Sequence, residues 1–172
     1  MHVEPLPDVT CRWNTQGAQV DEEGRAREWW SLASAAAFAK RSRCVARAFG
    51  ADTEHPPEGG APAPSAQPQT LSEDLADVGG LKVALEAYLA VTKGPTSEDL
   101  RSFFLAFAQN WCYKARARES AVLVHDVHAP GELRANAPLS LTDAFATTYR
   151  CVSGSRMNPE GKCGMWSPTG GT

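Results

Sequence analysis

Ser97-Glu98-Asp99-Leu100-Arg101-Ser102-Phe103-Phe104-Leu105-Ala106-Phe107-Ala108-Gln109-Asn110-Trp111-Cys112 is the stretch that decides the fold class. Leu100, Phe103, Phe104, Phe107 and Trp111 recur at spacings of three and four, which gives a helix one continuous apolar face. Thr96 stands in front as an N-cap candidate, with Asp99 three residues on to complete a capping box. Lys114, Arg116 and Arg118 suit the negative end of the helix dipole, so the expected helix runs over residues 97–118.

Working outward from it, a second helix is expected over residues 71–93, ended by Gly94-Pro95 and with a possible kink at Gly79-Gly80. Leu75, Val78, Leu81, Leu85, Tyr88 and Leu89 form its apolar stripe. Residues 25–49 are rich in helix formers and carry Trp29, Trp30, Leu32, Ala36, Phe38 and Val45, with Gly50 as a stop. Between these two helices, the prolines and glycines of residues 55–70 predict an extended surface loop. Beyond the central stretch, residues 122–136 read as a loop with a Pro130-Gly131 turn, and residues 141–149 as a short helix. Residues 1–24 are polar and aperiodic, no long segment alternates with period two, and no internal repeat occurs. The fold class is therefore mainly α.

With 172 residues, one core of ordinary size is expected. A net charge of −3 and the lack of a basic stripe argue against nucleic acid as a partner. There is no run of eighteen apolar residues to span a bilayer, and residues 1–19 hold no apolar signal core. Of the five cysteines (Cys11, Cys44, Cys112, Cys151, Cys163), an odd count leaves at least one without an internal partner. No Cys-x-x-Cys pair exists to suggest a zinc ribbon.

Two places carry candidate chemistry. Glu73 and Asp77 lie one helical turn apart and repel unless a cation sits beside them; zinc bound by the first would relieve that. The same Glu73 also completes a capping box, Thr70-x-x-Glu73, which needs no metal. His128 precedes Pro130-Gly131 and lies six residues before Arg134. It could be a solvated loop histidine, a donor in catalysis, or one member of a His125-x-x-His128 metal pair.

Several stretches together resemble the C-terminal half of the zinc endopeptidases of the neprilysin and endothelin-converting-enzyme family. Phe103 to Cys112 is similar to that family's Phe-Phe-x-x-Phe-Ala-Gln-x-Trp-Cys helix. Ser72-Glu73-Asp74-Leu75-Ala76-Asp77-Val78-Gly79-Gly80 resembles its Gly-Glu-Asn-Ile-Ala-Asp-Asn-Gly-Gly, departing at Ser72, Asp74 and Val78. Asp126-Val127-His128-Ala129-Pro130-Gly131-Glu132-Leu133-Arg134 resembles Asp-x-His-Ser-Pro-Gly-x-x-Arg, and Met157-Asn158-Pro159-Glu160-Gly161-Lys162-Cys163-Gly164-Met165-Trp166 the closing Met-Asn-Pro-x-x-Lys-Cys-x-x-Trp.

The resemblance implies a helical C-terminal lobe of a thermolysin-like metallopeptidase domain over residues 17–166, with a divergent leader at 1–16 and a tail at 167–172. By it, Glu73 is a zinc ligand and Asp77 a carboxylate that orients a ligand histidine. His128 stabilises the oxyanion of the tetrahedral intermediate, Asp126 orients His128, and Arg134 holds a substrate carbonyl. It also implies a Cys44–Cys163 disulfide, closing a long loop and contributing on the order of 4 kcal/mol. Cys112 and Cys151 would bond partners in an N-terminal part that this sequence lacks. Peptides are the implied substrates, and the location implied is extracellular or a plasma-membrane ectodomain.

The zinc helix of the family, His-Glu-x-x-His, is absent from the sequence. Gly17, Gly24, Trp29 and Trp30 keep the family register, which puts the motif on Pro7-Asp8-Val9-Thr10-Cys11. Proline ligates no metal, Asp8 is a methylene short of the base, and Cys11 with Glu73 alone would make a poor site. The chain is thus expected to be either part of a peptidase, inactive alone, or a non-catalytic relative that binds peptides or a protein partner.

Overall fold

The computed structural model describes residues 19–50, 70–114 and 126–165. Among them are five helices: α1 (Leu32–Gly50), α2 (Leu71–Thr92), α3 (Ser97–Gln109), α4 (Gly131–Ser140) and α5 (Asp143–Tyr149). The only strand-like pairings among the described residues are two isolated bridges, Val20 with Ala26 and Ser155 with Asn158. The mainly α expectation therefore holds.

Helices α2 and α3 form where the sequence places apolar residues at spacings of three and four. In α2, Leu75, Leu81 and Leu85 are buried and Gly79-Gly80 lies within an uninterrupted helix, while Leu89 at the far end is exposed. Helix α3 opens on the expected capping box, with the Thr96 hydroxyl accepting from the Asp99 amide at 3.2 Å and Asp99 accepting from the Thr96 amide at 2.8 Å. It stops at Gln109, short of the expected residue 118, because residues 110–112 tighten into bonds to carbonyls three residues back. Arg116 and Arg118 lie outside the described residues.

Two other expectations need correction. The first helix begins at Leu32 and not at Arg25. The Asp21 carboxylate takes the amides of Glu23 and Arg25, folding that segment into a turn, and the Ser31 hydroxyl then accepts from the Ser34 amide to start α1. Residues 131–136, expected as loop, belong to α4. Pro130 precedes its first turn, where a missing N–H costs nothing, and Pro138 is tolerated near its end. Most of the proline-rich span 55–70 lies outside the described residues.

Helix α4 is the hub: it packs against α1, α2, α3 and α5. On one side Leu133 and Ala137 join Val45, Phe49, Leu75, Cys163 and Met165; on the other Leu139 joins Leu81, Leu85 and Phe104. The Cys44–Cys163 disulfide ties α1 to the C-terminal segment, as the resemblance implied, while Cys112 and Cys151 are thiols. By crossing α2, α4 brings residues 126–134 over the first turns of that helix.

Candidate active site

The first two turns of α2 present Glu73, Asp74 and Asp77. Thr70 takes a helical conformation and makes no cap bond, so the capping box expected with Glu73 does not form; its hydroxyl donates to Asp74 Oδ2 at 2.9 Å instead. That leaves Glu73 free of a capping role and pointing outward, with its side chain 34% exposed.

The segment leading into α4 supplies the facing groups. His128 Nδ1 lies 2.8 Å from Asp126 Oδ1, and the same oxygen accepts the His128 amide at 3.0 Å. These bonds hold the Asp126 carboxyl below the usual carboxylate range. They also fix the imidazole plane, and the ring's other nitrogen, Nε2, comes to 3.5 Å from Glu73 Oε2. The acidic side chain on α2 and the histidine before α4 therefore converge on one point.

Arg134, on the first turn of α4, reaches back to α2. Its Nε donates to Asp77 Oδ2 at 2.6 Å and its Nη2 to Asp77 Oδ1 at 2.7 Å, a side-on bidentate pair with both side chains mostly buried. Burial raises the Asp77 carboxyl above its ordinary range although the guanidinium pulls the other way. The Trp111 ring covers the guanidinium with its centroid 4.0 Å from the central carbon. A cavity of about 280 Å³ opens here, lined by Trp111, Tyr113, Asp126, His128, Gly131 and Arg134 among others.

Glu73, Asp77, Asp126, His128 and Arg134 thus meet at one place. Asp77, expected beside a ligand histidine, is paired with Arg134 among the described residues. The sequence reading treated Trp111 as packing only; a residue 23 positions from its partner along the chain (134 − 111) leaves no local signal for such a stack. His125 and Cys11 lie outside the described residues.

No group of three or more His, Cys, Asp or Glu side chains able to hold a metal ion occurs among the described residues. Glu73 offers one outward carboxylate, which is too few donors to close a zinc site.

A carboxylate on α2, an Asp-held imidazole and a mostly buried arginine thus share one wall of the cleft. The sequence matches the model of peptidase family M13 over residues 8–165, and the chain belongs to that family. It is 34% identical over 174 residues to an endothelin-converting enzyme homolog of Locusta migratoria, covering 92% of this chain and 22% of that protein. Neprilysin-21 of Caenorhabditis elegans is also 34% identical, and endothelin-converting enzyme 1 of Rattus norvegicus 35%, each with 92% of this chain covered and respectively 22% and 21% of the relative. Among solved structures, the Mycobacterium tuberculosis zinc metalloprotease Zmp1 in complex with an inhibitor superposes with a TM-score of 0.72 at 28% identity, over 84% of this chain and 23% of that one. PepO from Lactobacillus rhamnosis HN001 gives 0.71 at 31% identity, over 87% and 22%. The chain spans about a fifth of the length of the curated relatives it matches.

Proposed function

We propose that this chain is the C-terminal portion of a neprilysin-like zinc endopeptidase and forms one wall of its peptide-binding cleft. The observation that carries the reading is the 3.5 Å approach of His128 Nε2 to Glu73 Oε2, made by residues on separate elements. Zinc, held in part by Glu73, would supply the Lewis acid that polarises the scissile carbonyl. His128 presents an N–H at Nε2 when its ring carries both protons, since Nδ1 faces Asp126. A donor fixed there stabilises the oxygen on which charge develops. Arg134 has two N–H groups engaged by Asp77 and keeps the others for a backbone carbonyl of an oligopeptide with a hydrophobic residue after the scissile bond.

The absence of His-Glu-x-x-His from the sequence favours a chain that binds peptide without hydrolysing it when alone. The same absence supports a second reading, a non-catalytic relative that captures peptides or a protein partner. The remainder of a peptidase, including thiols for Cys112 and Cys151, would be the partner on the first reading, and the location would be extracellular or a plasma-membrane ectodomain. Within the described residues, no helix is long and apolar enough to cross a membrane.

The test is calorimetric titration of the purified chain with a capped oligopeptide, alongside a cleavage assay on its fluorogenic form with added zinc. Binding without turnover, weakened about tenfold or more by His128→Ala or Arg134→Ala, is expected from the loss of one charge-assisted hydrogen bond. Equal affinity in all three proteins would refute the cleft. An in-frame His-Glu-x-x-His upstream of residue 17 in the gene identifies the enzyme portion; a gene without it identifies the non-catalytic relative.

A further inference from the structure

Arg134 is held on more than its carboxylate. Asp77 engages one edge of the guanidinium through Nε and Nη2, and Trp111 lies over a face at 4.0 Å. An edge contact alone leaves the plane free to swing about the two hydrogen bonds; a ring against the face removes that freedom. The indole N–H of Trp111 is buried and finds no hydrogen-bond partner among the described residues, a cost that a phenylalanine of similar shape would not carry. What tryptophan offers in return is the most electron-rich face for a cation.

The backbone is arranged to bring that face in. A Cβ on Gly131 would stand 2.6 Å from the Tyr113 ring and 2.7 Å from the Trp111 carbonyl oxygen. Residues 111–113 therefore press on the first turn of α4 at a distance only glycine permits, one turn from Arg134. Glycine is needed at this place for space, since its φ is not among the positive ones.

We propose that Trp111 is a positioning residue for Arg134: its indole, seated by the close approach at Gly131, fixes the plane in which the guanidinium offers its remaining N–H groups to a peptide carbonyl. This rests on the peptide-cleft reading for its consequence, though not for the stack itself.

The experiment follows the side-chain NMR signals of Arg134, assigned by their loss in Arg134→Lys, and titrates each protein with the capped dipeptide acetyl-Phe-Leu-amide. In the unaltered chain the Arg134 signals should be displaced upfield by the indole ring current. Trp111→Phe should keep part of that displacement and lose affinity only a few-fold; Trp111→Leu should abolish it and weaken binding about tenfold. Arg134 signals or peptide affinity unchanged in Trp111→Leu would overturn the proposal. Should the unaltered chain bind no peptide, the cleft reading fails by itself, and the NMR arm still decides: loss of the displacement in Trp111→Leu upholds the positioning, its persistence overturns it.

Discussion

Asp74 is the residue whose surroundings are least expected from its chemistry. It is fully buried, its Oδ2 accepts from Thr70, and its Oδ1 has no partner among the described residues. Burial pushes its carboxyl up to about 7, with the charges of Asp77 and Glu73 adding and the Thr70 hydroxyl and Arg134 opposing. A carboxyl raised in the folded state holds its proton more tightly there than in the unfolded chain. Its penalty is absent below the ordinary carboxyl value of 3.8, grows as pH rises, and is complete above about 7. The size is on the order of 4 kcal/mol. Asp74→Asn should therefore gain stability over the unaltered chain as pH goes from 4 to 8, read by urea denaturation at both ends; a gain independent of pH would contradict the buried acid. At this scale the sequence is informative where partners are local. Asp126 and His128 are two residues apart, and the resemblance implied that the first orients the second. Asp77 and Arg134 are 57 apart, and nothing local to either position announces the pair.

Elements were legible in proportion to how one-sided their burial is. Helix α3 has a one-sided apolar face that its period marks, while α2 also exposes Val83, Leu89 and Val91 and is marked by the spacing of its buried Leu75, Leu81 and Leu85. Helix α4 touches four others, is buried nearly all round, and is bracketed by Pro130 and Pro138, so periodicity vanishes and the breakers dominate the reading. Its first turn is also where the element is least tolerant. Gly131→Ala would put a methyl group into the Tyr113 ring and the Trp111 carbonyl. The expected cost is about 1–3 kcal/mol of stability, seen as a lower thermal midpoint. Gly80, in the middle of α2 with nothing within reach of an added Cβ, is the control: Gly80→Ala should stabilise by about 0.5–1 kcal/mol. Loss at both positions, or at neither, would mean the approach of 111–113 to α4 is not as described.

For the whole molecule, the long-range tie is the disulfide, whose cysteines are 119 residues apart. Cross-linking so long a loop removes unfolded-state entropy worth about 4–5 kcal/mol in the chain-entropy account. Cys163→Ser should lower the unfolding free energy by several kcal/mol, and an unchanged urea midpoint would contradict a formed bridge. No spacing rule selects Cys44 and Cys163 among the cysteines; family resemblance supplied the pairing. The same holds for the cleft wall, since α4 must first cross α2 before Glu73 and His128 can meet. That meeting is the centre of the account. The most direct measurement is the imidazole ¹⁵N spectrum of His128 in the unaltered chain, in Glu73→Gln, and in Glu86→Gln, which removes a charge paired with Lys82 further along the same helix. The account predicts that the Nε2 signal moves in Glu73→Gln and stays in place in Glu86→Gln; a His128 ring indifferent to the charge at position 73 would contradict it.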